Sequence, residues 1–457
     1  MKLIYNVNDK PKFGQLLVFA LQQLLAIMAA TLVVPIIVSN PVIPYACGPV
    51  SMSPAAALFG AGVGTLVYVL FTAKKSPVFL GSSFAFLGSM GAAFAGASTV
   101  ALGYLGLIIG AILAGLVYVI IAIIVKFAGV NWVNKLMPPV VIGPTVAIIG
   151  LSLAGNAVGD LQKADGGASV YVCLICGLVT LFVTILCSTF GKKMVKLIPF
   201  ICGIGAGYAV ALVFTLIGNA TGNAALQVLS FAPFKALVSE GVKITTFVDL
   251  PQFTILKALG GFEKLDFSYI LTVAVAYVPV AFVVFAEHIA DHKNISSIIE
   301  KDLLEEPGLH RTLLGDGVGS MAGAIFGGCP NTTYGESVGC VAITKNASVL
   351  TIITAAIGAI IISFISPFVA LIDSIPPCVM GGVCIALYGF IAVSGLKMIQ
   401  KVDLGADKNL FVVATILITG IGGLAISFGK VTLTSIACAL ILGIIVNIML
   451  AKAKDTE

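Results

Sequence analysis

The sequence predicts an all-α polytopic membrane protein, and three observations carry that prediction. Hydrophobic residues make up 59% of the 457, and charged residues only 10%. A soluble domain carries roughly 25% charged residues, so too few remain here to cover an aqueous surface. Apolar runs of the length that crosses hydrocarbon, about 20 residues, recur along the whole chain. The charged residues collect between those runs. Fifty glycines suit close helix packing and broken helices, and they argue against a soluble repeat protein.

In chain order, the expected spans are 14–39, 54–73, 78–97, 99–126, 137–158, 168–189 and 194–218. A second set follows at 268–290, 313–328, 331–347, 349–371, 377–397, 409–428 and 431–451. The start, MKLIYNVNDKPKFGQ, has no cleavable-signal pattern, so the first span is expected to anchor insertion. With that end inside, the even-numbered connections and both termini are cytoplasmic. Those regions hold most of the 25 Lys and Arg, from Lys10, Lys12, Lys74 and Lys75 through Lys192, Lys193 and Lys196 to Lys452 and Lys454. The exceptions are Lys163, Lys235, Lys243, Lys257, Lys264 and Lys430, four of them in the long loop 219–266, and long loops cross largely regardless of charge. The distribution fits fourteen spans.

Carboxylates sort more sharply. Glu287 and Glu336 lie within spans and Asp291 at the end of one; the others fall in loops, tails or span edges. A charge at mid-membrane costs about 2.5–3.5 kcal/mol on insertion scales, and no Lys or Arg lies inside a span to offset it. Two tolerated acids therefore imply a polar cavity between helices that holds a small hydrogen-bonding solute. The net charge of +5 is dispersed, so no nucleic-acid partner is expected. The ten Cys read as small packing residues, including the C-x-x-C of Cys173 and Cys176, which lies inside VYVCLICGLV.

An odd number of spans per half makes the two halves insert with opposite orientation, the inverted-repeat plan of many secondary transporters. The third span holds PVFLGSSFAFLGSMG and the tenth CPNTTYGESVG. Each is a break rich in glycine and hydroxyls, whose irregular backbone lipid would not tolerate but a lined cavity would. Free N–H groups of half-helix N-termini there can donate to carbonyl oxygens. Within these breaks Tyr334 can donate or stack on a flat ring, Gly335 lets backbone approach closely, and Glu336 accepts from a solute N–H. Phe84 faces either a site or lipid. Gln22 and Gln23 of LQQLLA either bridge helices or line the cavity. On the eighth span, Glu287 and Asp291 share a helix face, with His288 and His292 on the next. The two histidines have metal-ligand spacing, but no third ligand is in view. Proton handling by Glu287, assisted by Asp291, is the stronger reading. His292 and Lys293 read as cytoplasmic-interface residues.

At AEHIADH, KDLLEEPGLHRTLLGDG and PNTTYGESVGCVAITK, with LQQLLAIMAATLVVPII, GSSFAF and MGGVCIALYG, the chain resembles the nucleobase–ascorbate transporter family, or nucleobase:cation symporter family 2. It is similar above all to the uracil permease branch. The resemblance implies fourteen spans in two inverted seven-span repeats, with short extended segments in spans 3 and 10. It implies a core domain over 14–127 and 268–372 and a gate domain over 128–218 and 373–451. An extracytoplasmic loop would cover 219–267, with cytoplasmic tails at 1–13 and 452–457. It further implies a cell-membrane symporter and not an enzyme, with proton as coupling ion and no cofactor, an elevator-like movement, and a homodimer. Its motifs place substrate on Glu287 and Glu336 and on backbone amides near Phe84 and Gly335, with Tyr334 adjacent. A uracil ring, with two N–H donors and two carbonyl acceptors, complements that set. Purines or xanthine on the same scaffold are the nearest rival; an anion would face repulsion from two acids. Three departures stand out: Gln22-Gln23 where the branch often has Gln-His, Asp291 where some members have histidine, and Ser337 where Asn usually follows the acid. An aspartate releases its proton at much lower unperturbed pH than a histidine.

Overall fold

Helix starts follow local chemistry. The computed structural model describes residues 3–39, 45–129, 132, 138–164, 166–192, 194–239, 241–428 and 431–452. Lys2, Lys135, Lys193, Lys430 and Lys454 among the basic residues, and the ends of both tails, lie outside them. α1 runs Phe13–Val38 and α2 Pro54–Phe71, the latter with proline in its first turn and the Ser53 hydroxyl accepting from Ala56 N–H at 3.2 Å. β1 (Leu80–Ser82) leads through a 3-10 turn, Phe84–Phe86, into α3 (Leu87–Ala95). α4 (Val100–Ala128) is capped by Thr99. α5 (Pro139–Ser152), α6 (Ala154–Leu161), α7 (Val170–Phe190) and α8 (Pro199–Thr221) follow, with a helical turn at Met194–Leu197 before α8. Serine, threonine or aspartate at such starts satisfies N–H groups that have no partner inside the helix.

The long loop carries α9 (Ala232–Val238) and α10 (Thr254–Ala258). Asp266 then caps α11 (Phe267–Ile299), accepting from Tyr269 N–H at 2.6 Å. α12 (Leu309–Gly327), β2 (Asn331–Thr333), α13 (Gly335–Thr344), α14 (Val349–Ile362) and α15 (Ser366–Asp373) come next. The chain closes with α16 (Pro377–Ile399), α17 (Asp407–Ile421), the strands β3 (Ile426–Phe428) and β4 (Val431–Leu433), and α18 (Ser435–Met449). Among the described residues, eight helices are long and apolar enough to cross a membrane, α1, α2, α4, α7, α8, α11, α16 and the run Pro139–Leu161.

Several expected spans are reshaped. The span placed at 268–290 runs on as helix to Ile299, because His288, His292, Ile295 and Ile299 keep one buried face at helical spacing although the outer face turns polar. Asp291 is therefore inside a helix and not at its end. The span at 349–371 is two helices separated at Ser363–Ile365, where Val248 of the long loop pairs with Ile365. The last two spans meet in the β3–β4 hairpin.

Packing is set by glycine. A Cβ on Gly60 of α2 would lie 2.3 Å from the Gly323 carbonyl of α12, and one on Gly64 would lie 2.7 Å from the Gly319 carbonyl. These helices touch backbone to backbone. α5 and α16 meet the same way, at Gly150 against the Tyr388 carbonyl and Gly395 against Ala147 N, at 2.3 Å each. Close approach of this kind substitutes dispersion contact for the hydrophobic drive that lipid cannot supply.

Candidate solute site

The two broken segments find each other. β1 pairs antiparallel with β2 in the register Leu80↔Thr333, Gly81↔Thr332 and Ser82↔Asn331. Ser83 N–H to Pro330 O at 2.9 Å and Tyr334 N–H to Phe79 O at 3.2 Å extend the ladder. Every residue of both strands is buried, so the edges need partners. Thr65 of α2 supplies one, its hydroxyl accepting from Leu80 N–H at 2.9 Å. On the other strand Ser320 accepts from Asn331 N–H at 2.9 Å, and Asn331 Nδ2 donates to the Gly60 carbonyl at 3.1 Å. Asn331-Thr332-Thr333, which formally matches a glycosylation sequon, thus lies deep in the protein.

Tyr334 is buried with its ring over Gly81, where a Cβ would come within 2.4 Å of Cζ. Its hydroxyl donates to the Ser82 carbonyl at 2.7 Å. The side chain therefore clamps the strand pair, and its O–H is already committed.

Gly335 opens α13 with no side-chain cap, which leaves first-turn amides directed away from the helix body. Gly335 is exposed, and a Cβ there would meet only Asp291 Oδ1, at 3.7 Å. Glu336 sits in the same first turn, where the helix dipole favours a negative charge. Ser337 is fully buried; its Oγ accepts from Phe79 N–H at 3.0 Å and from Gln23 Nε2. Gln23 thus bridges α1 to α13. Gln22 also bridges, donating from Nε2 to Met194 Sδ at 2.5 Å.

α11 packs against β2 and α13. Glu287 is half-buried on it, and Asp291, one turn on, is buried and accepts from Thr333 Oγ1 at 2.8 Å. Glu287, Asp291 and Glu336 lie within electrostatic reach of one another. Phe84 is 9% exposed and meets Tyr388 of α16 edge-on at 5.9 Å. Because the strands run antiparallel, Phe84 and Gly335 flank the pair at opposite ends. A cavity of about 370 Å³ opens on Gly335, Glu336 and Gly339, walled opposite by Lys196, Phe200, Phe390 and Ser394. Glu287 and Phe84 do not line it.

Two expectations change. His292 is no interface residue: it is fully buried, with Nε2 2.7 Å from Tyr68 Oη and Nδ1 2.8 Å from the His288 carbonyl. Lys293, beside it, is exposed. Asp316, read from the sequence as a span-edge acid, is buried on α12 with Oδ2 2.7 Å from His288 Nδ1, while His288 Nε2 meets Thr312 Oγ1 at 3.0 Å. The two imidazoles stack at 4.0 Å. Every ring nitrogen of His288 and His292 has a protein partner, so their metal-like spacing serves a hydrogen-bonded network behind the carboxylates. The clue lay in GDGVGSMAG: an acid in a glycine-rich run packs close to its neighbours.

Comparison with known proteins agrees with this architecture. Relatives include the uracil permease of Bacillus caldolyticus, 38% identical over 98% of this chain and 95% of its own length. That of Bacillus subtilis is 36% identical over 100% and 97%, and that of Escherichia coli K12 is 34% identical over 96% and 92%. Solved structures of similar fold include the transmembrane domain of the cyanobacterial bicarbonate transporter BicA, with a TM-score of 0.59 at 15% identity over 97% of this chain and 100% of that one. The murine anion transporter Slc26a9 has a TM-score of 0.61 at 13% identity over 97% and 69%. At such identities the likeness is one of fold alone. The model of the Permease family, Xan_ur_permease, matches residues 14–428, and with relatives of this identity along nearly its whole length, the chain belongs to that family.

Proposed function

We propose that this protein is a proton-coupled symporter that imports a nucleobase, uracil first among them, across the cell membrane. The observation that carries the reading is the buried β1–β2 pair, which sets an uncapped helix start and Glu336 beside the α11 carboxylates in a chain related to uracil permeases. Glu336 and Glu287 accept from the ring N–H groups, and the amides at Gly335 and Phe84 donate to the ring carbonyls. Tyr334 holds the strands that present them. Glu287 carries the coupled proton, with Asp291 assisting. The proton lets a buried acid cross without the cost of an unpaired charge.

Fourteen spans in two inverted repeats accommodate the helices. The eight long ones join α3, α12, α13, α14, α17 and α18, with both termini cytoplasmic. Core elements lie in 14–127 and 268–372 and gate elements in 128–218 and 373–451. Two facts support the division. α2 packs on α12 and α5 on α16, each pair joining spans seven apart, and the closest glycine contacts fall within core or within gate. An elevator-like sliding of one body along the other is the movement this favours, in a homodimer. The fold shared with anion transporters gives a second reading, but acids beside the cavity oppose an anion.

Thermal stabilisation of purified protein across a panel of nucleobases tests the substrate. Uracil should raise Tm most; a purine doing so would transfer the reading to a purine or xanthine symporter. Uracil accumulation that persists after the proton gradient is collapsed would defeat the coupling.

A further inference from the structure

The cavity beneath Glu336 has one cationic wall. Lys196 lines it, is exposed, and among the described residues forms no ion pair. Its place is set by its neighbours. Leu197, 8% exposed, wedges between Ala26 of α1 and Cys340 of α13 in a small apolar cluster separate from the main core, with Met194 and Ile198 at its edge. The Gln22–Met194 hydrogen bond pins the same turn. The turn thereby holds Lys196 at the cavity that Glu336 also lines. This is the side that the placement of Lys192 and Lys196 assigns to the cytoplasm.

Among the described residues, the other groups facing Glu336 carry no positive charge. α11 presents Glu287 and Asp291, with Asp316 of α12 behind them. The α16 wall is Phe390, Ile391 and Ser394; α1 contributes Ala26, and α13 itself adds Cys340. When solute and proton have both left to the cytoplasm, an ionised carboxylate remains among acids. Coulomb interaction across a partly hydrated cavity favours any nearby cation that can face it.

Resting on the transport reading above, we propose that Lys196 is the counter-charge of the emptied, ionised site, and so a positioning residue for the discharge step of net transport. Exchange of solute for solute leaves the proton in place and does not need this state; net uptake does. The test is a pair of measurements in proteoliposomes, net proton-driven uptake of labelled uracil and homoexchange in the absence of a gradient. Lys196→Gln should lower net uptake about fivefold, the upper end for a partly exposed ion pair, while exchange stays within about twofold of wild type. Lys196→Arg should restore net uptake. Leu197→Ala, which loosens the wedge, should lower both. Net uptake unchanged in Lys196→Gln, exchange falling in parallel with it, or failure of Lys196→Arg to rescue would each overturn the proposal. A wild-type protein that exchanges no nucleobase would instead overturn the transport reading itself, before any variant is compared.

Discussion

The segments Leu80–Ala95 and Asn331–Thr344 have one plan, a buried three-residue strand that turns into a helix, yet they are chemically unlike. The first brings Ser82, Ser83 and Phe84 to its helix start, the second Tyr334, Gly335 and Glu336. One offers backbone and an aromatic edge; the other offers an open amide and a charge. The pairing of these strands is a matter of backbone alone, so side chains at the two helix starts are free to diverge. Two paired segments can thus share one geometry while only one of them carries the acid.

If that division of labour holds, the acidic side should dominate. Glu336→Gln and Glu287→Gln are each expected to abolish measurable uptake, whereas Ser83→Ala, whose buried hydroxyl has no hydrogen-bond partner among the described residues, should leave it within about twofold. Equal damage from Ser83→Ala would break the comparison. Next in size are the close backbone contacts behind the strands. A Cβ at Gly323 would lie 2.1 Å from Asn331 Nδ2, so Gly323→Ala should destabilise by about 1–3 kcal/mol, as overpacking does, read as a fall in Tm of the detergent-solubilised protein. Ser337→Ala removes the acceptor for Phe79 N–H and Gln23. A stability loss of about 1–3 kcal/mol is expected from the stranded donors, with weaker uracil binding by calorimetry.

Smaller effects sharpen the aromatic side. Phe84→Ala keeps the backbone amide and loses only the edge contact with Tyr388, worth about 0.5–1.5 kcal/mol. Binding should weaken by no more than about tenfold; complete loss would show that the ring itself, and not the amide, meets the solute. Smallest of all is the ion pair of Lys75 with Glu306, 2.5 Å apart on the surface. Lys75 holds the Glu306 carboxyl below its ordinary value by hydrogen bond and charge. Its contribution is therefore present above the ordinary glutamate range and is lost as pH falls through the lowered value. Lys75→Gln should leave uptake and Tm at neutral pH unchanged within error.

The membrane class and the breaks in both segments were legible in the sequence, because hydropathy and a cluster of Gly, Ser, Thr and Pro are local signals; that the breaks are extended strands came only with the family resemblance. Glu287 and Glu336 stood out for the same reason: an acid in an apolar run is visible by itself. What stayed hidden depends on partners far along the chain. Asp316 looked like a span-edge residue until His288 faced it, and His292 looked interfacial until Tyr68 covered it. The extension of α11 to Ile299 was missed because its outer face turns polar while its inner face stays packed. Gln23 left two roles open, and only the position of Ser337 across the fold selects the bridge.

The glycine contacts of α2 with α12 have a practical consequence for anyone watching this protein move. Helices that touch through their backbones have no room to slide past one another, so paired spin labels or fluorophores across that seam should report a constant distance in every state. The same labels placed on α13 and on the turn Met194–Leu197, which meet in a small apolar cluster, would straddle the seam along which the proposed sliding runs. If the proposed sliding takes place, the first pair is the ruler's fixed end and the second its moving one.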